Sequence, residues 1–214
     1  TRFINQQMQK NNYQELSNGI RTIHKEINYT KIAHVGIMLD IGSRDEENSQ
    51  KGITHFWEHM SFKGTHKRKS FHIINRLESL GGELNAYTTK EKICFYASIL
   101  DVHMEKAVEL LVDIVFNSAF PKKQIEKERQ VILEEMAMYQ DTPEDAIVDE
   151  FDEVIFNKHP LGYNILGTEQ SVKAISQADF IRFIEAHVDF KKIVFSSLGN
   201  IPPKKITHLI NKYF

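Results

Sequence analysis

His55-Phe56-Trp57-Glu58-His59 packs two imidazoles and a carboxylate into five residues. A helix turns by about 100° per residue, which sets Glu58 at about −60° and His59 at about +40° from His55. That arc is narrow enough for both histidines to reach one zinc ion while the glutamate reaches a water beside it. Phe56 and Trp57 point the other way and suit a core. The competing reading is a helix with two unrelated surface histidines. Chance alone supplies on the order of 0.04 such pentads in a chain of this composition. The His-x-x-Glu-His order is the inverzincin signature.

A zinc hydrolase needs a third protein ligand and leaves a further position open. Residues 122–140 read as a long helix behind Pro121, which suits a first-turn proline. With Ile125 as origin, Ile132, Met136 and Tyr139 fall within about 40° and define a core face. Glu134 falls at about 180°, toward solvent, whereas Glu135 and Glu128 fall at about −80° and −60°. Val131 and Met138 lie on the flank of this pair. A half-buried carboxylate pair needs a cation or strong donors to stay charged. This reading makes Glu135 the third ligand and places Glu128 behind it, bonded to a ligating histidine. A charged face in solvent fits the same periodicity equally well.

The chain has 214 residues, which suits a single domain with a sizeable core. Apolar residues make up 41% and charged residues 26%, so it is an ordinary globular sequence rather than a disordered one. A net charge of −2 gives no general pull toward nucleic acid or anionic membrane. The basic run at 63–69 reads as a solvated loop. The single cysteine, Cys94, lies in an apolar run and reads as a small buried hydrophobe, with no intrachain disulfide available. No stretch is long and apolar enough to span a membrane. Residues 1–7 lack a signal-peptide core, which leads to the expectation of a cytoplasmic location.

Strand-like runs at 13–16, 20–26 and 33–41 come first, with a turn at Asn18-Gly19. Helices are expected at 54–60 and 71–80, the second capped by Ser70 and stopped by Gly81-Gly82. Strands follow at 83–88 and 92–99, then helices at 104–117 and 122–140. Thr142-Pro143-Glu144-Asp145 reads as a cap, a first-turn proline and first-turn acids, opening a helix to residue 156. Ser176-Gln177-Ala178-Asp179 resembles a capping box opening a helix to 187. A last strand at 192–198 and a last helix at 204–212 complete the chain. The expected class is α+β, a mostly antiparallel sheet packed under helices.

Five blocks carry a resemblance to a known family. They are Asp40-Ile41-Gly42-Ser43-Arg44, the pentad continued through Met60-Ser61-Phe62-Lys63-Gly64-Thr65, and Leu84-Asn85-Ala86-Tyr87-Thr88. Glu128-Arg129-Gln130-Val131-Ile132-Leu133-Glu134-Glu135-Met136 and Leu161-Gly162-Tyr163-Asn164-Ile165-Leu166-Gly167-Thr168 follow in order. The chain resembles the pitrilysin (insulinase-like) zinc peptidases, in the branch of the mitochondrial processing peptidase β subunit and its bacterial relatives. The resemblance implies His55, His59 and Glu135 as zinc ligands and Glu58 as general base. It also implies that strand 83–88 is an exposed edge that pairs with extended substrate, with Asn85 and Ala86 beside the scissile bond and Tyr87 shaping a pocket. Trp57 departs from the leucine more usual there.

Family members commonly carry two or four homologous domains of about this size. The resemblance therefore implies one metal-bearing N-terminal domain that works with a homologous second domain, a partner subunit or a dimer mate. The expected function is that of a zinc metalloendopeptidase, a hydrolase acting on extended or unstructured peptides. The alternative is a non-catalytic assembly or peptide-binding subunit; the complete pentad argues against it.

Overall fold

Period-2 alternation writes the sheet. In the computed structural model, which describes residues 12–214, Ala33, Val35, Ile37 and Leu39 are all buried, as are Ile93, Phe95, Ala97 and Ile99. Residues 1–11 and the side chain of Asp145 are outside the description. The readings of residues 1–7 and of Asp145 as a first-turn acid therefore lie outside the described residues. The strands are β1 (Asn12–Glu15), β2 (Arg21–Glu26), β3 (Ile32–Leu39), β4 (Glu83–Thr88), β5 (Ile93–Leu100) and β6 (Ile193–Gly199). They form one six-stranded sheet in the order β1-β2-β6-β3-β5-β4. Only β2 and β6 run parallel; the other pairs are antiparallel. The α+β class with a mostly antiparallel sheet is what the sequence predicts.

The helices are α1 (Ile53–Ser61), α2 (Ser70–Glu78), α3 (Met104–Phe116), α4 (Lys122–Gln140), α5 (Pro143–Phe156), α6 (Glu169–Ala174), α7 (Gln177–His187) and α8 (Pro203–Tyr213). α1 and α2 pack on β4, α3 packs on β3 and β5, and α8 packs on β2. Their apolar stripes close one core over the sheet's buried face, from Phe56 and Trp57 through Leu110 and Ile114 to Phe180 and Phe195. Cys94 is buried, in keeping with its apolar run. Among the described residues no helix is long and apolar enough to cross a membrane.

Several local readings are refined. Ser70 opens α2 from inside; the cap residue is Lys69. Thr142 does cap α5 with Pro143 next, yet its hydroxyl donates back to the Met138 carbonyl at 2.9 Å. Asp179 accepts from the Ser176 amide at 2.8 Å, the expected reach-back. The short helix α6 has no counterpart among the sequence expectations. Its start is held by the Thr168 hydroxyl accepting from the Ser171 amide at 3.1 Å, and six residues are too few to show a 3.6-residue period.

The basic run at 63–69 is corrected. His66, Lys67 and Lys69 are exposed, but Lys63 reaches Glu128, and Arg68 is drawn down onto Glu109 and Asp113 of α3. Buried carboxylates on neighbouring helices hold these two cations out of bulk solvent, an arrangement that local charge density does not encode.

α1 owes its position to two aromatic anchors. Phe56 meets Phe180 of α7 edge-on at 5.1 Å, and Trp57 lies 6.3 Å from Phe95 of β5; both are fully buried. Trp57 is thus a packing residue, turned away from the histidines. Phe56→Ala is expected to lower the unfolding free energy by about 3–5 kcal/mol, as for other buried aromatic truncations. Urea unfolding checks this; a loss below about 1 kcal/mol would show that α1 is not anchored this way.

Candidate metal centre

The first turn of α1 is clamped from both sides. Gly52 caps the helix at φ +89, and a Cβ there would stand 2.4 Å from the Leu166 carbonyl oxygen. Gly167, at φ +80, leaves only 2.3 Å to the Lys51 carbonyl oxygen. The two glycines let the 161–168 segment press backbone to backbone against the helix start. Glu46 then satisfies two of the free amides of the first turn: Gly52 N–H donates to Oε2 at 2.7 Å and Thr54 N–H to Oε1 at 2.9 Å.

From this fixed start, His55 and His59 stack edge-on with ring centroids 4.5 Å apart. Glu135 of α4 faces both rings. His55 Nε2 lies 3.9 Å from Oε1, and His59 Nε2 lies 3.6 Å from Oε2. Candidate donor atoms of these three residues fall within 4.8 Å of one another. Zinc bonds of about 2.0–2.1 Å at tetrahedral angles put ligand atoms roughly 3.3–3.5 Å apart, so the set fits zinc after shifts of a few tenths of an ångström. Two imidazole nitrogens and a carboxylate are also the donor types of the His₂Glu catalytic zinc class.

Electrostatics favour the same use. Burial, and then the neighbouring His59, push the His55 imidazole down to about 3, so it is neutral and its nitrogen lone pair is available. Burial lifts the Glu58 carboxyl above the ordinary carboxylate range; a hydrogen bond from the Thr88 hydroxyl opposes that lift. Burial works against charge on Glu128 too. Hydrogen bonds from His59 and Lys63 outweigh it and hold this carboxyl below the usual range. The geometry is direct: Glu128 Oε1 accepts from His59 Nδ1 at 3.0 Å, and Oε2 pairs with Lys63 Nζ at 2.7 Å.

His55, Glu58 and Glu135 line a cavity of about 270 Å³ together with Ala86, Tyr87 and Thr88 of β4 and Tyr139, Asp149, Asn164, Ile165 and Leu166. β4 stands at one end of the sheet and, among the described residues, pairs with β5 alone.

The family described as Insulinase (Peptidase family M16) matches residues 21–169. The chain belongs to this peptidase family. An uncharacterized zinc protease of Mycobacterium leprae is 37% identical over 199 residues, covering 93% of this chain and 45% of that protein. A probable mitochondrial-processing peptidase subunit beta of Arabidopsis thaliana is 36% identical over 199 residues, covering 93% of this chain and 38% of that protein. The chain therefore spans about half or less of the length of these curated relatives. The crystal structure of a protease from Helicobacter pylori superposes with a TM-score of 0.91 at 22% identity, over 97% of this chain and 50% of that one. This last likeness is one of fold.

The M16 domain brings together His55, Glu58, His59, Glu128 and Glu135, all named from the sequence. Glu134 is exposed and Glu135 half-buried, as the helical angles require. Glu128 is 6% exposed, which removes the solvated-face reading for it. Asn85 is exposed on the edge and its Oδ1 accepts from the Ala86 amide at 2.8 Å. The Tyr87 ring leans toward Tyr96 with 6.1 Å between centroids, and its hydroxyl is hydrogen-bonded to Cys94. One reading of α4 is corrected. Its core face ends early: Tyr139 is exposed and lines the cavity, while Arg129, not an expected core residue, is buried. Arg129 donates to the carbonyl oxygens of Val172 and Ile175, the latter at 2.8 Å, so the C-terminal end of α6 draws it inward.

Sequence reasoning missed Thr88, Lys63, Glu46 and Asn164. Thr88 had a signal: alternation along β4 puts it on the same side as Ala86. Lys63 had one also, four residues after His59. Glu46 had none, because its partners are backbone amides.

Burial is also the leading influence on Glu46, lifting its carboxyl to about 7 against the pull of the Thr54 and Gly52 amides. A carboxyl whose folded value exceeds its ordinary 4.5 stabilises the fold fully below that pH and loses this contribution as pH rises through about 7. The loss is ~3 kcal/mol at most. Urea unfolding from pH 4 to 8, with chelator present, is expected to show a smaller fall in stability over this window for Glu46→Gln than for the parent. Parallel curves would mean that Glu46 does not titrate in this window.

Proposed function

We propose that this chain is the metal-bearing catalytic domain of a zinc-dependent metalloendopeptidase that hydrolyses extended or unstructured peptides. One observation carries the reading. Two imidazole nitrogens and the Glu135 carboxylate converge on one point, with Glu58 in the same cavity and an open sheet edge alongside. Relatives named zinc proteases supply independent support.

His55, His59 and Glu135 would hold zinc, which when bound supplies a Lewis acid for the scissile carbonyl and the attacking water. Glu58 takes the water proton and passes it to the leaving amine. Its raised carboxyl value suits a base that must also act as an acid. The Thr88 hydroxyl fixes one Glu58 oxygen and leaves the other for the water. The substrate backbone adds as a strand along β4. It takes over the Ala86 amide, whose present partner is Asn85 Oδ1. Tyr87 shapes the adjoining side-chain pocket.

Glu58 is also what separates this reading from a non-catalytic subunit. A half-buried carboxylate beside the ligand set, with no ligand role of its own, has no use in a purely structural zinc site. The relatives' greater length supports a homologous second domain or partner subunit as the other wall of the reaction space.

Glu58→Gln is expected to retain zinc and to lose about 10²- to 10⁴-fold or more in kcat on an unstructured peptide. Metal analysis and a peptidase assay test this together. Cleavage at the parent rate would sink the assigned mechanism. Chelation should abolish activity and zinc should restore it. Adding the homologous second half in trans should raise kcat/KM over the chain alone; an unchanged value would show the domain to be self-sufficient.

A further inference from the structure

Lys63 stands just past the end of α1, its amide bonded to the Met60 carbonyl at 3.0 Å, so its position follows from the helix that carries the histidines. Its ammonium pairs with Glu128 Oε2 at 2.7 Å, and the other oxygen of that carboxylate accepts from His59 Nδ1 at 3.0 Å. Glu128 is almost fully buried, with its side chain 8% exposed. The next residue on α4, Arg129, is turned away onto α6 and Glu126. Among the described residues, the side chains that contact Glu128 are the Lys63 ammonium and the His59 imidazole.

We infer that Lys63 is a positioning residue of the metal centre. It pins Glu128 in the orientation that fixes His59, and so keeps Glu128 out of the ligand set. The inference rests on the zinc-binding reading above.

Three carboxylates crowd this site: Glu58, Glu128 and Glu135. Their formal charge of three is balanced by zinc together with one lysine. Without the lysine, Glu128 is a buried anion with a single donor, adjacent to a dication. Its free oxygen then has two favourable moves, toward the metal or toward solvent, and either releases His59 Nδ1. With the lysine, both oxygens are committed. A carboxylate only accepts, so His59 donates from Nδ1, and Nε2 is the nitrogen aimed at the point it shares with Glu135. An exposed lysine–carboxylate pair would contribute little. The buried carboxylate and the shared bond to His59 distinguish this pair from one of that kind.

The test measures zinc affinity on the chain by competition with a chromophoric chelator, with no reliance on turnover. Lys63→Met is expected to weaken zinc binding by about tenfold, as do other losses behind a metal ligand. Lys63→Arg should recover most of that loss. Glu128→Gln should weaken binding as well, and adding Lys63→Met to it should cost less than about twofold more, because the lysine acts through the carboxylate. Parent affinity in Lys63→Met, or losses that multiply in the double variant, would overturn the inference. If Lys63→Met does not fold, Lys63→Gln measured in the same way decides. A parent chain that binds no zinc would instead remove the zinc reading itself, so the two failures are distinguishable.

Discussion

Everything at the candidate metal centre depends on α1 serving two opposed demands. Its aromatic side must be dry: Phe56 and Trp57 are fully buried, and their burial fixes the helix on the sheet. Its other side must stay polar yet half-shielded, so that His55 is neutral and Glu58 holds its proton more readily than a carboxylate in water. Phe56 and Glu58 are two residues apart, about 200° around the helix, so the two demands fall on opposite faces. A small rotation of α1 would expose the aromatics and bury the acid. The clamp at its first turn resists that rotation. Two glycine approaches and the Glu46 carboxylate fix the entry of the chain, and packing of α4 and β4 against the helix fixes the rest.

The partner helix has the same character. α4 buries Ile125 and Ile132 and sets Glu128 and Glu135 two turns apart beside them. The first carboxylate is deep and held by donors; the second is shallower and faces the two imidazole nitrogens. Depth therefore sorts two chemically identical groups into different tasks. Arg129, between them in sequence, ties the helix to the end of α6. That coupling explains why a short, weakly patterned helix remote in sequence bears on the site.

Much of this was legible in the sequence because it depends on angle alone. Helical geometry separates Glu135 from Glu134 and pairs it with Glu128; alternation marks β3, β4 and β5; proline and glycine mark several helix ends. The edge position of β4 came from family resemblance, since strand order is not written in any local period. What escaped has a common cause. Lys63, Arg68 and Arg129 each look like solvated cations until another element brings a carboxylate or a set of helix-end carbonyls within reach. Glu46 looks like one acid among several in a polar loop until the chain turns its first-turn amides toward it.

The division is physical. Apolar burial is paid out along the chain at the period of the element that carries it, so it leaves a local trace. A buried charge is tolerated only if its partner arrives, and the partner here is dozens of residues away: Glu128 with Lys63, Asp113 with Arg68. A reader of such a sequence should therefore distrust the label "solvated" for any charged residue next to a strong motif. Next to His59, that residue was Lys63. The five-residue motif sets two imidazoles and a carboxylate side by side, and the ion pair with Lys63 sets Glu128 apart from the other two carboxylates nearby.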